Sequence, residues 1–171
     1  WLFIIVKDEV EIDKYDYTEN LIYSPDWKSF AFIAEKDRKY LIVKDDKESN
    51  GYDSVRNLKY SSDWKSFSYE VYKDWRYIII KDGVEINKYD SVYNWTYSPD
   101  WKSFAFTAEK DGKYIIVKDG KESNLYDSVR NLKYSSDWIN IAFIIKRDWK
   151  DVMIKDGVEF NEYDYVYDLI Y

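Results

Sequence analysis

Two dipeptides recur along this chain at one fixed interval, and that interval limits the folds open to it. Asp-Trp stands at Asp26-Trp27, Asp63-Trp64, Asp100-Trp101 and Asp137-Trp138, 37 residues apart each time. Tyr-Asp stands at Tyr15-Asp16, Tyr52-Asp53, Tyr89-Asp90, Tyr126-Asp127 and Tyr163-Asp164 with the same spacing. A period of about 20–50 residues marks a repeat architecture, in which each unit buries its apolar face against its neighbours. The 171 residues hold four such periods and part of a fifth. A 74-residue period lies over the first. Residues 23–37 and 97–111 differ only at Ile33 against Thr107, and residues 52–64 and 126–138 are identical. The chain reads as a duplicated two-repeat unit, and copies this close leave little room for one repeat to have acquired a function of its own.

Within a repeat, four short runs rich in Tyr, Phe, Ile, Val and Thr are separated by Asp, Gly, Pro and Lys. In residues 91–127 the runs are Ser91–Tyr97, Ser103–Ala108, Lys113–Val117 and the polar stretch from Lys121 to Asp127. This is a strand-and-hairpin pattern. Asp-Gly at 82–83, 119–120 and 156–157 suits two-residue hairpins, whose turns need positive φ. No stretch keeps an apolar stripe at helical spacing. Four strands per repeat, fanned radially, make a β-propeller blade. The strands are lettered A (innermost) to D. Strand C is the most apolar (Leu41–Val43, Ile78–Ile80, Ile115–Val117, Val152–Ile154), as a strand packed on both faces should be. Strand D mixes polar residues with single apolar ones such as Ile86 and Phe160, as an edge should.

Composition narrows the chemistry. There is no His and no Cys, which removes imidazole and thiol catalysis, zinc fingers and disulfides. Aromatic residues make up 20% of the chain, too many for a disordered segment even with 35% charged residues. The net charge of −7 argues against a nucleic-acid partner, which calls for a basic stripe. No apolar run approaches the ~20 residues that span a bilayer. No phosphate-binding or calcium-binding loop is present in the sequence, and neither a metal nor a cofactor is expected.

Tyr23-Ser-Pro-Asp-Trp-Lys-Ser-Phe-Ala-Phe32, and its copy from Tyr97 to Phe106, resemble the "SPDGK…AF" signature of WD40-like, TolB-type propeller repeats. The turns at 110–114 and 118–122 fit the same family, and the similarity runs along the whole chain. A weaker similarity to WG-type repeats rests on Lys-Asp-Gly-Lys-Glu…Tyr-Asp. The first resemblance implies an all-β propeller that serves as a scaffold for protein or ligand contacts, and it slightly favours an extracytoplasmic location. It does not fix an activity, because function is grafted onto such folds.

The expected architecture is a single domain over residues 1–171, with four-stranded antiparallel blades at 17–53, 54–90, 91–127 and 128–164. A fifth, closing blade would combine 1–16 with a strand A at 165–171. Five full periods need 185 residues, 14 more than the chain has, so this blade would lack its strand B. The alternative is a piece of a larger propeller. An unpaired strand edge invites association, so weak homo-oligomerisation through the incomplete blade is expected.

Trp27, Trp64, Trp101 and Trp138 occupy a column where the resembling family has Gly. Trp1, Trp75 and Trp149 share a column with this chain's own Gly112. Tight turns favour Gly. Three explanations stay open: exposed indoles that stack on sugars or partner proteins, rings that cover blade edges, or a gene that uses UGA for glycine and was translated as Trp.

The Asp of every Tyr-Asp pair reads as a turn-fixing acceptor before it reads as a cation ring. Asn20, Asn57, Asn94, Asn131 and Asp168, near the start of strand A, read as structural before channel-lining. Beside them Glu19, Arg56, Tyr93, Arg130 and Tyr167 differ from blade to blade. They are the better candidates for an asymmetric ligand. The candidate binding residues are therefore Arg56, Tyr93, Arg130 and Tyr167, with Trp27, Trp64, Trp101 and Trp138. No catalytic residue is singled out, because no carboxylate pair stands apart from its copies. The expected function is a non-enzymatic scaffold for a protein or ligand. The alternatives are a lectin-like carbohydrate binder using exposed aromatics, and a fragment with no function of its own.

Overall fold

The computed structural model describes the chain outside residues 1–2, 8–9, 25, 62, 64, 99, 101, 137–138 and 170–171. Among the described residues there is no helix. A two-strand hairpin comes first, β1 (Phe3–Lys7) and β2 (Val10–Tyr15). Four four-stranded sheets follow in chain order. They are β3 (Tyr17–Tyr23), β4 (Phe30–Lys36), β5 (Lys39–Lys44) and β6 (Lys47–Glu48), then β7 (Ser54–Tyr60), β8 (Phe67–Lys73), β9 (Arg76–Lys81) and β10 (Val84–Tyr89). Next come β11 (Ser91–Tyr97), β12 (Phe104–Lys110), β13 (Lys113–Lys118) and β14 (Lys121–Glu122). The last sheet is β15 (Val129–Tyr134), β16 (Ile141–Arg147), β17 (Lys150–Lys155) and β18 (Val158–Tyr163). Each sheet is a meander of sequential neighbours, and the strand pairs with a described register run antiparallel.

The chain forms two compact units, Trp1–Lys88 and Tyr89–Tyr171. The first holds the β1–β2 hairpin, the sheet β3–β6 and the sheet β7–β10 as far as Lys88, and Tyr89 belongs to the second. The second holds the other two sheets, so the split falls close to the seam of the 74-residue duplication. In the first unit, Ala31, Ile33 and Ile42 pack with Tyr52, Phe67, Tyr69 and Ile78 in one core shared by its two sheets. In the second, Ala105 and Ile116 pack likewise with Ile141, Phe143 and Ile154. Second strands are buried over their first five residues, third strands over their apolar centre, and the outer strands face solvent. Interior strands covered on both faces need continuous apolar runs, and these have them.

Every first strand carries a break. Pairing between β3 and β4 shifts between Glu19 and Ile22, between β7 and β8 at Arg56/Lys59, between β11 and β12 at Tyr93/Thr96, and between β15 and β16 at Arg130/Lys133. Asn20, Asn57, Asn94 and Asn131 sit in these breaks with φ of 55°, 58°, 48° and 54°. Asn is one of the few side-chain-bearing residues that visits the left-handed region readily, so the Asn column encodes a β-bulge.

The turns are equally regular. Ser24 Oγ donates to Asp26 Oδ1 at 2.7 Å and accepts from Ser29 N at 2.9 Å. Ser98 repeats both bonds, at 2.6 and 3.0 Å. These serines are buried. Asp45, Asp82, Asp119 and Asp156 each accept the backbone N–H that opens a second strand, from Phe30, Phe67, Phe104 and Ile141. Two acids of the Tyr-Asp pairs bond the hairpin that follows a second strand. Asp16 accepts from Asp37 N at 3.1 Å and Asp90 from Asp111 N at 2.7 Å. Turn-fixing is thus what these acids do.

Two features differ from expectation. Strands β6 and β14 are only two residues long, because Ser49 and Ser123 turn their hydroxyls onto the N–H groups of Ile42 and Ile116, 2.9 Å away, and take the place of further ladder bonds. Residues 165–169, expected as a strand, form none. They lie on the last sheet instead, with Leu169 buried against Ala142 and Ile144.

Candidate functional site

The five variable positions 19, 56, 93, 130 and 167 immediately precede the Asn or Asp of the bulge column. A bulge re-aims the side chains beside it. Glu19, Arg56, Tyr93 and Tyr167 are exposed and Arg130 is half-buried.

In the first unit, Arg56 Nε donates to Glu70 Oε1 at 2.7 Å, and its Nη2 bonds the same oxygen. Asn57 Nδ2 donates to Glu70 Oε2 at 2.9 Å. The guanidinium carbon lies 4.8 Å from the centre of the Tyr77 ring. Glu70 is buried, and β7–β8 pairing sets it directly opposite Arg56. The carboxylate holds the arginine's pKa above its ordinary value, chiefly through these hydrogen bonds. A buried carboxylate persists only when paired and fully bonded, and here three N–H groups meet it.

The second unit solves the same problem with different residues. Position 144, in the Glu70 column, is Ile, and position 151, in the Tyr77 column, is Asp. Arg130 therefore bonds Asp151 Oδ2 across to the third strand. Asp151 is fully buried and its Oδ2 also accepts Val166 N at 2.7 Å. Lys146 Nζ lies 3.5 Å from Oδ1. The ring that Tyr77 supplies to Arg56 is supplied to Arg130 by Tyr165, 4.7 Å away. The segment after β18 is thus docked by the buried acid.

Tyr93 donates its hydroxyl to Glu109 Oε2 at 3.2 Å. Tyr167 projects into solvent, its ring edge-to-face with Tyr165 at 4.6 Å, while its carbonyl accepts Asn131 Nδ2 at 3.3 Å. In the Asp-Trp column of candidates Trp27 is described: it is exposed and its ring lies 5.2 Å from Tyr23. Trp64, Trp101 and Trp138 lie outside the described residues. Arg130, Lys146 and Val166 come together around Asp151, and Tyr167 stands next in the chain to that cluster. Arg56 has its own cluster around Glu70, and Tyr93 pairs separately. Sequence reasoning named the arginines but missed Glu70 and Asp151. The signal was there: an acid replaces Ile or Thr in one column and Tyr in another, each in a repeat that also carries Arg.

Within each unit a groove lies between the two sheets. One, about 380 Å³, is lined by Ile42, Lys44, Glu48, Ser49, Phe67 and Tyr69. Its counterpart 74 positions on, about 360 Å³, is lined by Ile116, Lys118, Glu122, Ser123, Ile141 and Phe143. Burial pushes the Tyr69 hydroxyl well above its ordinary pKa, which makes it a poor acid or base near neutrality. No group of three or more metal-ligating side chains occurs among the described residues. Among the described residues no helix is long and apolar enough to cross a membrane.

No protein-family model matches the sequence, and no curated protein matches it. Solved structures do. The β-propeller domain of the trilobed protease from Pyrococcus furiosus aligns over 82% of this chain and 54% of its own, at 10% identity and a TM-score of 0.51. TolB from Acinetobacter baumannii aligns over 89% of this chain and 45% of its own, at 17% identity and a TM-score of 0.46. A chain of a nidogen/laminin complex aligns over 90% and 66%, at 8% identity and a TM-score of 0.45. This chain spans about half the length of the first two. The fold is that of a β-propeller with four-stranded antiparallel blades.

Proposed function

We propose that the chain is a non-enzymatic β-propeller scaffold that binds a protein partner through the variable first-strand column, with Arg56, Tyr93, Arg130 and Tyr167 as contact residues. One observation carries this reading. The column beside the bulge alternates Arg and Tyr, as Arg56, Tyr93, Arg130 and Tyr167, and both arginines are anchored from behind by a buried acid and a tyrosine ring. Arg and Tyr are the types that dominate interface energetics, and a preorganised side chain loses less entropy on binding.

A photo-crosslinking residue at position 93 or 167 tests it in an extract of the native source. The expected result is one crosslinked protein, competed away by excess unmodified chain and lost when the other tyrosine is changed to Ala. A chain that captures no competable protein sinks the reading. The exposed Tyr23–Trp27 pair favours a second reading, stacking on a carbohydrate; a glycan array with no signal at millimolar saccharide removes it.

A further inference from the structure

We infer that the turn tryptophans of this chain are glycines in the protein as its source makes it, encoded by a UGA codon that the source reads as glycine. The structure argues this at Trp27, Trp75 and Trp149, and the sequence columns extend it to Trp1, Trp64, Trp101 and Trp138.

Three described tryptophans have left-handed backbone. Trp27 has φ 57°, Trp75 φ 64° and Trp149 φ 67°. The latter two take the second place of two-residue hairpins, after Asp74 (φ 52°) and Asp148 (φ 45°). Positive φ at both central residues defines a type I′ turn, whose second place favours Gly. The sister turn confirms the preference: Asp111-Gly112 has φ of 52° and 72°. Three further hairpins, Asp82-Gly83, Asp119-Gly120 and Asp156-Gly157, also carry Gly in the second place, at φ of 76–80°. A Cβ there strains the chain.

Burial offsets little of that strain. Trp27 is 74% exposed, Trp75 86% and Trp149 90%. Large apolar rings held in water at a position that disfavours any side chain gain nothing from burial. Arg38 and Asp46 occupy equivalent places at φ 62° and 64°, so a side chain is tolerated. What sets tryptophan apart is its recurrence: it fills the whole Trp27 column and three of the five places in the column that also holds Arg38 and Gly112.

Composition points the same way. The chain has 5 Gly and 8 Trp in 171 residues. Soluble proteins average about 7% Gly, about 12 residues in a chain this long. Reading the seven column tryptophans as glycine gives that number and leaves a single Trp. UGA differs from the glycine codon GGA by one base, and alternative codes that read it as an amino acid exist. Translation with a table that assigns UGA to Trp would write Trp wherever such a source places Gly.

The remaining tryptophan is an internal control. Trp95 is 7% exposed, packs at 6.1 Å on Tyr97, lacks positive φ, and stands in a column of Leu21, Leu58, Leu132 and Leu169. It behaves as a core residue and is a genuine tryptophan.

The coding DNA together with peptide mass spectrometry on protein from the native source decides the matter. The expected result is UGA at positions 27, 75 and 149 with UGG at 95, and peptides that carry glycine at the three turns and Trp at 95. UGG at the turns, or native turn peptides containing Trp, overturns it. The first-strand binding column contains no tryptophan, so this inference and the proposed function fail independently. The carbohydrate reading falls if the inference holds.

Discussion

Tyr15 and Phe32 meet edge to face, ring centroids 5.7 Å apart at 77°. Tyr89 and Phe106 repeat the contact at 5.6 Å and 75°, and Tyr126 and Phe143 at 5.7 Å and 62°. Tyr52 keeps the column by sharing a hydrogen bond with Tyr69. The tyrosine of the Tyr-Asp pair is therefore a clasp onto the second strand of the following sheet. Tyr163 has no following repeat in this chain and its ring is exposed.

Because Tyr15 and Phe32 are both buried, replacing either by Ala should cost about 3–5 kcal/mol. The edge-to-face pair should add a coupling of about 0.5–1.5 kcal/mol in a double-mutant cycle. Urea unfolding of the two single variants and the double variant measures it. Strictly additive losses would mean that the two rings pack independently.

The serine turns predict acid behaviour. Asp26, Asp63 and Asp100 are held below the ordinary value of 3.8, first by the hydroxyls of Ser24, Ser61 and Ser98 and next by the backbone N–H two residues on. A carboxylate depressed in the folded state adds stability that is complete above its unfolded value and is lost as pH falls through its folded one. The thermal midpoint should not respond to these turns between pH 7 and 5, and should drop below about pH 4. Carboxyl NMR titration of Ser98→Ala should move the Asp100 midpoint back up while Asp26 stays put. An unmoved Asp100 would assign the depression elsewhere.

Glu70 depends on Arg56 and Asn57 for its hydrogen bonds. Arg56→Ala strips two of the three donors from a buried charge, a loss that ranges over about 3–5 kcal/mol for such pairs. The half-exposed guanidinium lets water in and places this case near the lower end. The remedy is written in the chain: the Glu70 column holds Ile33, Thr107 and Ile144. Arg56→Met with Glu70→Ile should recover wild-type stability or exceed it, since an apolar pair of similar volume carries no desolvation penalty. A double variant clearly less stable than wild type would show the pair to be a net stabiliser.

The sequence-level reading succeeded where a single period sufficed. The four runs per repeat, the apolar third strand and the turn-fixing acids follow from local composition, repeated until chance was excluded. It fell short where one strand's partner depends on another's register. The Asn column looked like a hydrogen-bonding or channel-lining site; it is a left-handed bulge, and the bulge shifts the pairing beyond it. Whether Arg56 meets Glu70 or Arg130 meets Asp151 follows from cross-strand pairing that no periodicity displays. The short β6 and β14 escaped for a similar reason, since a Ser hydroxyl there substitutes for a ladder bond.

The hairpin turns give a prediction that Arg38 and Gly112 carry whichever residue the source places at position 75. Arg38 holds φ 62° in the second place of its turn. Left-handed backbone costs a side-chain-bearing residue about 1–2 kcal/mol. Glycine gives back about 0.5–1 kcal/mol of that through its larger entropy in the unfolded chain. Relief of strain wins, so Arg38→Gly should stabilise by about 0.5–1 kcal/mol, or about 1–4 °C in thermal midpoint for a chain of this size. Trp75→Gly should do at least as well, because its exposed ring contributes no burial. The mirror experiment is Gly112→Ala. A Cβ built there meets nothing within 4 Å, so its cost is the φ of 72° and not a clash. It should lose about what Arg38→Gly gains. If Gly112→Ala were neutral and Arg38→Gly destabilising, left-handed strain would not govern these turns.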